Sequence, residues 1–168
     1  MPYVLRIISK SRWYEDPGDF PWLVQGDVQA DALSDLRTKG NILSVWRIDD
    51  AKSNLEDVIA ALAAMRDELD KLDYALIDVE TVEKIGINLK STPGDSLDPE
   101  VNKWHIDMVT LSGTNLLSLA HAIHEPRVEK ARVLAKEIKS LLLARISAGT
   151  LDPSGMKAPV RRKLGLLP

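Results

Sequence analysis

The chain has 168 residues, 45% of them hydrophobic and 28% charged, a composition typical of one globular domain that needs neither metal nor disulfide to bury a core. Because it contains no cysteine, a disulfide scaffold, a thiolate zinc site and a cysteine nucleophile are excluded. No apolar run approaches ~18 residues, and the amino terminus has no basic leader or cleavage site, so we expect a soluble cytoplasmic protein that does not enter a membrane.

The first half of the chain has the pattern of a parallel sheet. Runs rich in β-branched and aromatic residues predict strands at residues 3–9, 42–48 and 74–79. Between the second and third of these, the pattern Ser53-x-x-Glu56 is a capping box that begins an amphipathic helix. The order strand, helix, strand is typical of a right-handed βαβ unit with parallel strands.

An antiparallel hairpin is predicted next. Ile85, Ile87 and Leu89 alternate, which indicates a strand near 85–90, and a second strand is predicted at 104–110. The same pattern of apolar residues over 98–111 also fits a helix, and both interpretations stay open.

The last part of the chain predicts two closing helices and a tail. Ser112 is a favoured N-cap for the first helix, and Pro126 is acceptable at the start of the second, which ends near Ser147. Prolines and glycines then recur through 150–168 and predict an extended basic tail beyond a domain at 1–149. The predicted class is therefore α/β with a mixed sheet: a parallel core of about three strands, an added antiparallel hairpin, flanking helices and an extended C-terminal tail.

Several motifs that would support catalysis are absent from the sequence. There is no P-loop, no GxGxxG fingerprint, no GxSxG nucleophile elbow and no HExxH zinc motif. We therefore expect no cofactor. The missing motifs favour a protein that is not an enzyme, but they leave the question open.

All three histidines fall within a short stretch and suggest one alternative. His121 and His124 are three residues apart on a predicted helix, where both could reach one metal ion, and His105 lies two residues from Asp107. Imidazoles with a carboxylate suit zinc or ferrous iron. Alternatively, His121 and His124 are ordinary helix-end residues whose positive charge favours the negative end of the helix dipole.

Acidic residues follow two of the predicted strands and suggest a second site for metal or acid–base chemistry. Asp49 and Asp50 follow the second strand, while Asp78 and Glu80 end the third. In a parallel sheet these carboxylates would gather at one edge and could hold Mg²⁺ or shift one another's pKa. Turn formation and helix capping explain the same residues without chemistry.

Aromatic residues are concentrated in the predicted loop 11–27. Trp13, Tyr14, Phe20 and Trp22 are half of the eight aromatic residues of the chain. Trp and Tyr are common energetic anchors of protein interfaces, so the loop is a candidate binding surface. The alternative is a lid that folds onto the sheet and adds to the core.

Charge is divided unevenly along the chain. Residues 1–126 carry 12 basic and 22 acidic side chains, whereas residues 127–168 carry 10 basic and 3 acidic ones. Arg161, Arg162 and Lys163 lie in the basic tail, which could contact an acidic partner or the acidic body of the same chain. The acidic body argues against nucleic acid as the partner.

Together these features predict a small non-catalytic protein-interaction module that binds another protein or itself. The first alternative is a metal-dependent hydrolase or nuclease that uses the histidine or carboxylate residues. The second is nucleic-acid binding through the basic C-terminal segment.

Overall fold

The computed structural model describes residues 2–13, 21–24 and 26–167. The strands in these residues are β1 (Tyr3–Ile8), β2 (Leu43–Ile48), β3 (Leu72–Asp78), β4 (Asn88–Ser91), β5 (His105–Val109) and β6 (Glu129–Val133). The α-helices are α1 (Leu55–Ala64), α2 (Val79–Lys84), α3 (Gly113–His124), α4 (Ala135–Ser147) and α5 (Ala158–Leu164). Short 3₁₀ helices occur at Lys10–Arg12, Ala30–Leu36, Asn102–Trp104 and Pro153–Gly155.

The six strands form one sheet in the order β4-β5-β2-β1-β3-β6, and all neighbouring strands are antiparallel. The predicted parallel core is therefore wrong. β1 lies between β2 and β3, with Tyr3 opposite Ile48 on one side and Asp78 on the other. Helix α1 does connect two strands that run in the same direction, but the first strand of the chain separates them. The pattern strand–helix–strand indicates direction, and it does not indicate which strands are hydrogen-bonded neighbours.

The hairpin of β4 and β5 forms at one edge of the sheet, as the sequence predicts. Of the two interpretations of 98–111, the strand holds for His105–Val109, preceded by a single 3₁₀ turn. Before the hairpin, the predicted strand near 85–90 begins only at Asn88, because the short helix α2 occupies Val79–Lys84.

The predicted start of the second closing helix at Pro126 is wrong, because β6 forms at Glu129–Val133 and pairs with β3 at the other edge of the sheet. The helix itself, α4, begins only at Ala135 and ends at Ser147, where the sequence predicts its end. The side chain of Lys130 explains how α3 ends. Its Nζ donates to the carbonyl oxygens of Ile123 at 2.7 Å and Glu125 at 3.1 Å, which satisfies acceptors that a helix end leaves without intrahelical donors.

The predicted extended C-terminal tail is also wrong. Pro159 lies in the first turn of α5, where a missing amide proton costs nothing. Val160 and Leu164 are one turn apart and buried, and Leu151 and Met156 are buried before them. Four apolar side chains therefore fix residues 151–164 onto the domain.

Helices cover both faces of the sheet. Leu5, Trp46 and Leu76 point to the face that packs with α1, α4 and α5. Val4 and Val45 point to the other face, which packs with α3 and the 3₁₀ helix Ala30–Leu36. Alternate residues of β1 and β2 are thus buried on opposite sides, as the period of a strand requires. Within the described ranges, no helix has the length and apolar character needed to cross a membrane.

Candidate functional site

Trp13, at the start of the aromatic loop, is buried in the core beneath α3. Only 2% of its surface is exposed. Its indole Nε1 donates to Asp35 Oδ2 at 2.8 Å, and the same carboxylate oxygen accepts from the backbone amide of Ser9 at 2.7 Å. Arg12 Nη1 adds a contact of 3.1 Å to Asp35 Oδ1. These contacts fix the beginning of the loop, so Trp13 acts as an anchor inside the fold and not as an accessible binding residue.

Trp22, nine residues later, has the opposite environment. It is 72% exposed, and Val24 beside it is 74% exposed. These side chains belong to the described segment 21–24, which we call the aromatic segment. Tyr14 and Phe20, which the sequence groups with these tryptophans, lie outside the described residues. The accessible aromatic surface that the structure describes in this loop is therefore that of Trp22.

The basic residues of the C-terminal segment lie on α5. Arg162 and Lys163 are exposed, while Arg161 is partly buried. Lys163 Nζ donates to the carbonyl oxygen of Leu69 at 3.1 Å, and Lys139 Nζ donates to the carbonyl oxygen of Lys163 at 2.7 Å. Helix α5 is therefore attached to its own domain and leaves a basic surface around Arg162.

A buried charge network, which the sequence did not indicate, links α4 to α1 and to the loop between β4 and β5. Asp98 is completely buried, and Arg145 Nε donates to its Oδ2 at 2.9 Å. Arg145 also pairs with Asp57 of α1. Asp98 accepts further bonds from the backbone amides of Glu100 at 3.1 Å and Val101 at 3.3 Å. A basic residue of the C-terminal region thus neutralises acidic residues of the body, which accounts for part of the uneven charge.

His105 and Asp107 come together on β5, as their spacing predicts, within a network of hydroxyl groups. Thr92 Oγ1 lies 3.0 Å from His105 Nδ1 and donates to Asp107 Oδ2 at 2.9 Å. Ser44 Oγ donates to Asp107 Oδ1 at 2.8 Å, and the ring of His105 meets Trp46 edge to face at 5.1 Å between centroids. Because Ser44 bonds to the carboxylate and not to the imidazole, this is not the arrangement of a serine nucleophile and its base.

His121 and His124 lie on α3, on the other face of the sheet from the side chain of His105. In the described part of the chain, no three histidine or carboxylate side chains are grouped so that they could hold a metal ion. The three predicted imidazoles are therefore not brought to one place.

The acidic residues that follow β2 and β3 do lie at the same end of the sheet, because β2 and β3 run in the same direction on either side of β1. Two of them have local structural partners. Asp49 accepts from the amide and hydroxyl of Ser53, and the hydroxyl contact lowers the pKa of its carboxyl group. Glu80 pairs with Lys84 at 2.5 Å, and this hydrogen bond lowers its pKa.

The other two acidic residues at this end of the sheet, Asp50 and Asp78, occupy the turn after β2 and the last position of β3. Since Ser53 bonds to Asp49, it does not cap α1 as predicted; Asn54 is the N-cap residue. The described residues at this end of the sheet form turns and helix starts.

Comparisons of the chain with protein-family models, with curated proteins and with solved structures find no match.

Proposed function

We propose that this protein is a non-catalytic, cytoplasmic interaction module, that Trp22 is its principal binding residue, and that a second copy of the chain is a partner. The observation that carries the proposal is the exposure of Trp22 and Val24. Trp13, which is buried and bonded to Asp35, fixes the chain where the predicted loop begins.

The exposed area of Trp22 is large enough to matter energetically. An aromatic side chain has roughly 150–250 Å² to bury, and 72% of that of Trp22 is exposed. At about 25 cal/mol per Å², covering this area would contribute about 3–4 kcal/mol before the entropy of association is subtracted. A net effect of about 2 kcal/mol, that of an interface hot spot, is the reasonable expectation.

Charge complementarity favours a second copy as the partner. The region before residue 127 is acidic, and the loop that contains Trp22 includes Glu15, Asp16 and Asp19 in its sequence. The basic surface around Arg162 lies beside Leu166, which is 39% exposed. A loop whose sequence has acidic residues and which exposes Trp22 on one copy, and a basic surface with an exposed leucine on another, are complementary in both charge and polarity.

Sedimentation equilibrium of the full chain tests the proposal. We expect the wild-type protein to self-associate and Trp22→Ala to weaken association about 30-fold, the equivalent of about 2 kcal/mol, with no change in melting temperature. Leu117→Ala is the matched control, because Leu117 is an exposed apolar residue on α3 (48%) and should leave association unchanged. The proposal would be overturned if the wild-type chain stayed monomeric up to about 100 μM, because a dissociation constant above that concentration is weak for a specific complex.

A further inference from the structure

A charged cleft of about 350 Å³ lies at the end of the sheet where β1 ends and β3 begins. It is formed by the turn after β1, by the connection between α1 and β3, and by β6. Four cationic side chains line it, namely Arg12, Arg66, Lys71 and Arg132. Three carboxylates, those of Asp35, Asp70 and Asp73, line it as well. The lining is mostly polar, so an apolar ligand would gain little there.

On one side of the charged cleft, a carboxylate holds Arg132 in a fixed orientation. Arg132 Nε donates to Asp73 Oδ1 at 2.7 Å and Nη2 donates to Oδ2 at 2.8 Å, while the amide of Lys10 donates to the same Oδ2 at 2.9 Å. The bond from Arg132 lowers the pKa of Asp73, and the same bond raises the pKa of Arg132. A guanidinium bound along this edge still has the two donors of Nη1 for a further acceptor.

On the other side, Arg12 contacts Asp35 through Nη1, which also donates to Ser34 Oγ at 2.6 Å. The carboxylate of Asp35 already accepts from the Ser9 amide, the Trp13 indole and Arg12 Nη1. Because its oxygens are saturated with donors, its negative charge is largely balanced from within the fold. Nε and Nη2 of Arg12 make no hydrogen bond to any residue that the structure describes, and this side chain is 42% exposed.

The remaining lining residues give the charged cleft its net charge. Arg66 Nη1 donates to the carbonyl oxygen of Lys71 at 3.1 Å, which fixes the turn that presents both cations. Asp70 lies close enough to Arg132 to stabilise its charge. Among the side chains that line the charged cleft, Asp35 and Asp73 are balanced by Arg12 and Arg132, and Arg66 and Lys71 exceed the single carboxylate of Asp70, so the lining has a net positive charge. Asp67 and Glu68 of the same turn line an adjoining cleft with Arg66 and Asp70 and not this one.

We propose that the charged cleft binds a small anionic molecule through a phosphoryl group. A phosphoryl group has three peripheral oxygens, so it can accept hydrogen bonds from several cations at once, whereas a carboxylate offers two oxygens in one plane. The volume lies at the lower end of the range for small-molecule sites, which fits a compact polar ligand. Hydroxyl groups of Ser9 and Ser11, which also line the charged cleft, could bind the rest of such a ligand.

An NMR titration of the full ¹⁵N-labelled chain with inorganic phosphate, at constant ionic strength, tests this inference. We expect saturable shifts of the amide signals of residues that line the charged cleft. The variant Arg66→Gln/Lys71→Gln should bind phosphate at least ~10-fold more weakly, because it removes the two cations that carry the net charge. The control variant Lys90→Gln/Lys103→Gln removes two exposed cations near the opposite edge of the sheet and should bind as the wild type does.

Three outcomes would overturn the inference. Shifts that grow linearly without saturation would indicate non-specific screening. Equal weakening in both double variants would place the effect on overall charge and not on the charged cleft. Acetate binding as tightly as phosphate would contradict the preference for a phosphoryl group. None of these results depends on self-association through Trp22.

Discussion

Replacing Arg145 with methionine should destabilise the domain by about 3 kcal/mol, because it leaves the carboxylate of Asp98 buried without its cation. Asp98 is completely buried, and the substitution removes the bond at 2.9 Å from Arg145 Nε together with that from Nη2. Breaking a buried ion pair costs roughly 3–5 kcal/mol. We expect the lower end, since the amides of Glu100 and Val101 still donate to Asp98.

Asp57, the second carboxylate of this network, should contribute little. Its side chain is 38% exposed, so water can replace Arg145 as its partner. We therefore expect Asp57→Asn to cost less than about 1 kcal/mol, as partly exposed pairs do. It serves as the matched control for the same arginine.

Urea unfolding monitored by circular dichroism measures these differences, with calorimetry as a second probe. For a domain of this size a loss of 3 kcal/mol corresponds to a fall in melting temperature of about 6–12 °C. The double variant Arg145→Met/Asp98→Asn should recover part of the loss, because the uncompensated charge is gone. The reasoning would be refuted if the free energy of unfolding of Arg145→Met stayed within about 1 kcal/mol of that of the wild type. It would also be refuted if the double variant lost more stability than the two single variants lose together.

Further expectations concern a buried anchor and two groups with shifted pKa values. Trp13→Ala should lower stability by about 3–5 kcal/mol in urea unfolding, since it empties a core position and leaves Asp35 without the indole donor; unchanged stability would show that the loop root is not fixed there. The lowered pKa of Asp73 stabilises the fold above the ordinary carboxyl pKa, and that stability is lost as pH falls through the folded value. Acid unfolding of Asp73→Asn should therefore show a weaker dependence on pH than that of the wild type. Burial raises the pKa of Tyr74 to about 12, so absorbance titration should reveal a late ionisation that Tyr74→Phe removes, and stability should fall as pH rises above about 10.

Local structure could be predicted where residue pattern alone decides it. The strands β1, β2 and β3 follow from runs rich in β-branched and aromatic residues, and β5 follows from alternating apolar residues. The helix α3 begins where Ser112 predicts, with a capping box to Asn115. The sheet topology could not be predicted in this way. The position of β1 between β2 and β3 could not be predicted, because the local sequence of these strands fits several pairings equally well. Only packing across the whole sheet distinguishes the pairings.

The candidate sites could be predicted only in part, for similar reasons. Trp13 and Trp22 have the same residue type and lie in one loop, yet one is buried and the other exposed, and no local pattern separates them. The pairing of Arg145 with Asp98 joins residues 47 positions apart. Asp35 has no motif at all, although its carboxylate accepts from the Ser9 amide, the Arg12 guanidinium and the Trp13 indole. The spacing of Val160 and Leu164, one helical turn apart, does indicate α5. The prediction of an extended tail gave more weight to the prolines of this segment.

A mixing experiment with two complementary variants tests the central claim most directly. Trp22→Ala removes the aromatic contact but keeps the basic surface, whereas Arg162→Glu reverses the charge of the basic surface but keeps Trp22. If Trp22 of one copy binds the basic surface of another, each variant alone should associate more weakly than the wild type. An equimolar mixture should restore association as a complex of one copy of each, because every such pair retains one intact contact. Light scattering of the separate and mixed samples gives the masses. A mixture that remains monomeric while the wild type associates, or variants that associate as well alone as the wild type does, would contradict the account.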